Sequence, residues 1–209
     1  MKTNGGFTMV ELLVAAAFSL AVMTAIYSVF RIQTHSLKGQ ESRMEAHEYA
    51  LTVLDTIVRE MRNTGYFPTG TACSTPGNTA GIVTATAQTF RLVYDSTGDG
   101  TCDQDISFSY DGTNKDVLRN GSALTDGNAT ALQFTYYPQQ TSGTAPAPYC
   151  VSAGNPSGCS GTLSSNLAAV EKITVSITVQ AKSNDTSFGG QSTITMSSSV
   201  NLRNHNIPS

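Results

Sequence analysis

Residues 5–20 read "GGFTMVELLVAAAFSL". From Phe7 to Phe30 the chain is almost wholly apolar, yet Glu11 stands inside the run. Leu12–Phe30 carries no charge, and its nineteen residues reach about 28 Å as a helix, one hydrocarbon thickness. Ala and Leu make helix the default conformation. An acidic side chain at the centre of a membrane helix costs about 2.5–3.5 kcal/mol, and less near its edge. Glu11 therefore demands a reason. A cleaved secretory signal needs an apolar core of only about 7–15 residues and a small-x-small site, and this core is too long. A plain signal anchor leaves Gly6 and Glu11 unexplained. Lys2 precedes the run while Arg31 and Lys38 follow it, so basic residues give no orientation.

Beyond this segment the chain continues as helix. In "SRMEAHEYALTVLDTIVREMRNTG", Met44, Leu51, Leu54, Val58 and Met61 recur at helical spacing, and Tyr49, Val53 and Ile57 widen the stripe. This face is expected to pack on a sheet. Gly65 is the expected C-cap, and Pro68 reinforces the stop. Helix from Phe7 to Thr64 would hold 58 residues and extend about 87 Å. Gly39 is the expected bend, since glycine costs about 1 kcal/mol against alanine. His35 and His47 fall on this stem and are assigned no chemistry.

Later segments alternate with period two. In "EKITVSITVQA", Ile173, Val175, Ile177, Val179 and Ala181 form one face; in "STITMSSSVNLR", Ile194, Met196, Val200 and Leu202 do. The intervening "SNDTSFGG" would close a hairpin. "ALQFTYY", "TFRLVY" and "ISFSYD" are further strands, with a weaker one at Val117 and Leu118. The expected fold class is α+β: a long N-terminal helix packed on one antiparallel sheet of four to six strands. Residues 139–168, rich in Gly, Ser, Pro and Thr, read as a surface excursion.

The 209 residues suit one globular domain plus an appendage, with formal charge −3 and 13% charged residues. That balance implies no nucleic-acid partner. The four cysteines, Cys73, Cys102, Cys150 and Cys159, form no C-x-x-C pair. In a domain outside the cytoplasm they read as two disulfides. Three pairings are open; Cys150 and Cys159 flank "CVSAGNPSGC" and are expected to pair, leaving Cys73 with Cys102.

"DSTGDGTCDQD" gathers Asp95, Asp99, Asp103 and Asp105 around two glycines. Clustered carboxylates on a sharp turn favour calcium. An EF-hand match fails, with Thr97 at the third position and Ile106 at the twelfth. The competing reading is a polar hairpin turn held by Cys102. With three histidines and no G-x-S-x-G, H-E-x-x-H or P-loop, an enzyme is not expected.

"GGFTMVELLVAAA" resembles the class III signal of type IV prepilins. The resemblance implies a leader, residues 1–6, cut after Gly6 on the cytoplasmic side by a dedicated membrane peptidase. The same enzyme would N-methylate Phe7. Residues 7–30 would be the transmembrane and filament-core helix, 31–65 the amphipathic stem, and 66–209 the periplasmic β-rich domain. Glu11 would meet the N-terminal amine of a neighbouring subunit during assembly. Some minor pseudopilins lack this glutamate, so its presence argues against that tip-most class.

"VLDTIVREMRNTGY", the "GDG" turn, "DVLRNG", "LQFTYY" and the closing "VNLRN" look, in this order, like PilW-like minor pilins and J-type pseudopilins of type II secretion. The resemblance implies the type IV pilin fold and a minor pilin that primes or caps a filament. Its partners would be other major and minor pilins, the prepilin peptidase and the inner-membrane assembly platform. The chain would reside in the inner membrane before assembly and in a surface pilus or periplasmic pseudopilus afterwards. A type II secretion pseudopilin and a tip adhesin, binding through 139–168, are the alternatives.

Overall fold

The computed structural model describes residues 6–68, 73, 81–140, 145–151, 156–163, 167–181 and 192–202. The architecture is α+β: one long N-terminal helix with an apolar first half, packed on antiparallel sheets. The expected leader residues 1–5 and the loop "SNDTSFGG" lie outside the described residues.

Helix α1 runs Met9–Arg62, 54 residues. It passes through Gly39 as unbroken helix, where a bend was expected. The flanking Leu37, Lys38, Gln40 and Glu41 are good helix formers and carry the turn across it. Asn63 takes the C-cap, its N–H bonded to the carbonyls of Glu60 and Met61. Gly65, expected there, lies two residues on, with φ 70°. Its N–H donates to the Val93 carbonyl at 3.3 Å, and Asp95 N–H donates to the Tyr66 carbonyl at 3.0 Å. The helix end is thereby tied to a strand. Gly81 is pressed against this turn: a Cβ there would stand 2.1 Å from the Gly65 nitrogen.

The buried face of α1 is Ala46, Ala50, Val53, Leu54, Ile57, Val58 and Met61. This corrects the expected stripe at one margin, because Met44 is 72% and Leu51 46% exposed. Ala46 and Ala50 are buried on this face beside Ile57 and Met61, all at 2% exposure or less. Counting only large apolar residues turned the stripe toward one flank.

Strands β1 (Ile82–Ala85), β2 (Thr89–Tyr94), β3 (Gln104–Asp111), β4 (Asp116–Arg119) and β5 (Ser122–Ala123) form an antiparallel meander in chain order. Strands β6 (Ala129–Pro138), β7 (Val170–Gln180) and β8 (Thr193–Asn201) form a second sheet, order β6-β7-β8. The expected single sheet is therefore two. Gly127, at φ 63°, turns the chain out of the meander before β6. There β6 takes β7 as its partner: Leu132 faces Ile177, Phe134 faces Val175 and Tyr136 faces Ile173. Helix α1 packs on β7 and β8.

The sheets share one core. Phe90 of β2 lies 5.7 Å from Phe134 and 6.1 Å from Tyr136, between ring centroids. Phe134 N–H donates to the Ala87 carbonyl at 2.8 Å, and the Tyr136 hydroxyl to the Thr86 carbonyl at 2.9 Å. The excursion after β6 is not all surface. Tyr149, Val151 and Leu163 are buried, and Tyr149 N–H donates to the Tyr136 carbonyl at 2.8 Å.

Ala50→Leu should destabilise the chain by about 1–3 kcal/mol through overpacking. Met44→Gln, on the exposed flank, should stay within about 0.5 kcal/mol. Urea denaturation of the detergent-solubilised chain measures both.

Candidate functional site

Three regions carry candidate residues: the start of α1, the junction of its end with the meander, and the disulfide loops.

At the start, Gly6, Phe7 and Thr8 precede the helix in non-helical backbone, and Phe7 is 88% exposed. The Gly6–Phe7 bond is therefore open to a protease. Thr8, with φ −80° and ψ 150°, is the N-cap. Its hydroxyl accepts from Glu11 N–H at 3.3 Å, and Thr8 N–H donates to a Glu11 carboxylate oxygen at 3.2 Å. This reciprocal capping box satisfies two orphan amide donors and sets a carboxylate against the positive end of the helix dipole. The sequence reading missed it, although Thr8-x-x-Glu11 before an apolar run is its signature.

The apolar half is fully exposed within this one chain: every residue from Phe7 to Ile32 is open to its surroundings. Its hydroxyls are turned inward. Ser19 donates to the Ala15 carbonyl, Thr24 to Leu20 and Ser28 to Ala25, each at 2.8 Å. The surface of this half is thus largely apolar, with these serine and threonine hydroxyls already paired.

At the other end, Glu60 clamps the helix to the meander. One carboxylate oxygen accepts from Arg119 at 2.9 Å, the other from the Tyr94 hydroxyl at 3.2 Å. Burial, then the neighbouring Glu60 charge and its hydrogen bond, push the Tyr94 hydroxyl up. The sequence reading named neither Glu60 nor its partners, because the contact joins residues 59 positions apart.

The four aspartates expected to gather around calcium are each bonded to donors of the protein. Asp95 is buried and accepts from the N–H groups of Thr97 (3.0 Å), Gly98 (2.6 Å) and Gly100 (2.8 Å). Asp99 holds Thr101, and Asp103 holds the Ser96 N–H at 2.8 Å and its hydroxyl. Asp105 pairs with Arg91 through two bonds of 2.8 and 2.5 Å. Among the described residues no group of three or more His, Cys, Asp or Glu side chains is placed to hold a metal ion.

Burial pushes the Asp95 carboxyl up, but the hydrogen bonds from Gly98, Gly100 and Thr97 outweigh it and hold it below the ordinary carboxylate range. The Arg91 hydrogen bond, against a smaller burial effect, likewise holds Asp105 down. Cys73 is bonded to Cys102, on the far side of this turn, with Cα atoms 5.2 Å apart. Cys150 is bonded to Cys159, Cα atoms 5.0 Å apart, closing the loop between the buried Tyr149 and Leu163.

No protein-family model, curated protein or solved structure matches this chain.

A carboxylate with a lowered folded pKa contributes stability that is present above its unfolded value and lost as pH falls through the folded one. The turn should hold above about pH 4 and loosen below it. Asp95→Ala should lower the melting temperature at pH 7 and flatten its decline in acid, read by thermal melts between pH 7 and 2.

Proposed function

We propose that the chain is a minor pilin of the PilW-like kind, a structural subunit that primes or caps a type IV filament. One observation carries the reading. A prepilin-type signal leads directly into a helix whose first half is bare and whose second half is buried on antiparallel sheets. That division matches the demands on a filament subunit: the bare half is stored in a membrane and then packed among other helices, while the rest presents a folded domain outside.

The proposed sequence of events begins at Gly6. The dedicated peptidase cuts Gly6–Phe7 in the exposed segment before the N-cap and methylates the new amine on Phe7. The chain then waits in the inner membrane with its domain in the periplasm. During extraction Glu11 exchanges part of its capping interaction for the amine of a neighbouring subunit. Two charges that are costly apart in low dielectric become one paired group. A wrong register leaves both unpaired, so the pair selects the depth of docking. The disulfides suit an oxidising compartment outside the cytoplasm.

A pseudopilin of type II secretion would use the same anchor and chemistry, and a tip adhesin would add a ligand for the excursion. The order of motifs along the stem and late strands supports a minor subunit over the main filament subunit, in either machine.

In a host with its own prepilin peptidase, mass spectrometry of the mature chain should give N-methylated Phe7 as the first residue. Recovery of an uncut N-terminus would sink the reading. Glu11→Val should be cut and methylated normally yet enter sheared filaments at least about tenfold less, consistent with loss of a buried charge pair worth 3–5 kcal/mol when broken.

A further inference from the structure

Strand β8 is the outer strand of its sheet, and its register with β7 runs without a bulge from Thr193 to Asn201. Bonds at its two ends fix the ladder: Ala181 N–H donates to Ser192 C=O, and Leu202 N–H to Glu171 C=O. Bonded and non-bonded residues alternate in an antiparallel pair. Ile194, Met196, Ser198 and Val200 therefore bond β7. Thr195, Ser197 and Ser199 turn their backbone groups outward, and no backbone bond outside the ladder engages them among the described residues.

Edge strands are ordinarily guarded by charge, proline, bulges, shortness or cover. The other long edge, β6, has several of these: register shifts near both ends, Pro138, and cover from Ala87 and Tyr149. β8 is nine residues long with no charge, proline or bulge.

A separate feature lies beside it. Met44, Leu51 and Val58 recur every seven residues of α1 and share one flank. Val58 is buried, while Leu51 and Met44 are exposed. One turn beyond Val58, Arg62 lines a cleft with Ser199, Val200 and Asn201. This flank thus borders the open edge, whereas the opposite flank faces the meander through Glu60. From Arg62 back to Met44 the helix spans about 27 Å, and β8 spans about 30 Å. The two are of similar length, and α1 packs on β8.

We propose that β8 takes an added strand from a different polypeptide. That strand is an extended segment of alternating side chains, apolar ones covering Leu51 and Met44 and Ser or Thr ones facing outward. Main-chain bonds to Thr195, Ser197 and Ser199 give affinity, and the helix flank gives specificity. A second copy is the poorer occupant. Antiparallel pairing through β8 sends the two apolar N-terminal halves in opposite directions, which two chains anchored in one membrane cannot adopt. Parallel pairing through the same edges turns the copy over and sets Thr195, Ser197 and Ser199 against Met44 and Leu51. This exclusion rests on the membrane anchor in the function proposed above.

The test uses the full chain in detergent micelles. The probe is a synthetic peptide of about ten residues alternating leucine or valine with threonine, and a shuffled peptide of the same composition is the control. Hydrogen exchange is read at single amides. In the free chain Thr195, Ser197 and Ser199 should exchange fast, and the alternating peptide should slow them at least about tenfold. Leu51→Glu should abolish the effect. Ser197→Pro should too, while the Ile194, Met196 and Val200 amides stay protected and report an intact sheet.

Slow exchange of the three amides in the free chain, or equal protection by the shuffled peptide, overturns the proposal. So does concentration-dependent protection without peptide, with Ser197→Cys chains cross-linking to each other, which assigns the edge to a second copy. Carbonate extraction of membranes tests the anchor separately: release of the chain would remove that reading without altering the peptide result.

Discussion

Everything in this molecule follows from one helix that its own domain covers only toward its C-terminal end, from Ala46 to Met61. Each exposed Leu, Val, Ile or Phe forgoes about 1.5–3 kcal/mol relative to burial. A handful equals the whole net stability of a typical domain, about 5–15 kcal/mol. The run from Phe7 to Ile32 has far more than a handful, all exposed. Such a surface persists only where something other than water covers it.

The second half of α1 solves a different problem. It has to hold two sheets that barely bond to each other. Its alanine face rests on β7 and β8, and its last turn reaches the meander through Glu60 to Arg119 and Tyr94. Gly65 and Gly81 then let the chain leaving the helix approach β2 closely enough for backbone bonds. Apolar burial supplies most of the free energy, because it scales with area and needs no direction. The polar contacts set the angle between parts that burial alone would leave free to slide.

What could be read from the sequence was what is local. The helix, both faces of β7 and β8, and the strands around Phe90, Ile106 and Phe134 follow from periodicity that each segment carries within itself. Partition into two sheets does not, because alternation says which face is buried and nothing about the neighbour. The Glu60 clamp was hidden for the same reason. The margin at Met44 and Leu51 was misread because size was taken for burial, although close packing favoured Ala46 and Ala50. At the candidate site, the Thr8–Glu11 capping box was legible and overlooked. At the aspartate-rich turn, composition drew attention to the carboxylates, but not to the backbone N–H groups of Thr97, Gly98 and Gly100 that bond Asp95.

The cap changes how the opening question about Glu11 is answered. In the uncut chain its carboxylate is not a bare charge, because Thr8 N–H and the helix dipole already favour it. Under the proposed function, a neighbour's amine must then compete with this internal partner. The gain on docking is a difference between two paired states, not the whole cost of a lone charge in lipid. That difference is small near the watery edge of the membrane and grows as the site moves into the low dielectric of a helix bundle. The same glutamate can therefore sit quietly in the stored subunit and become decisive only once other helices surround it. Storage and assembly then differ in the surroundings of one carboxylate, with no change required in the fold that carries it.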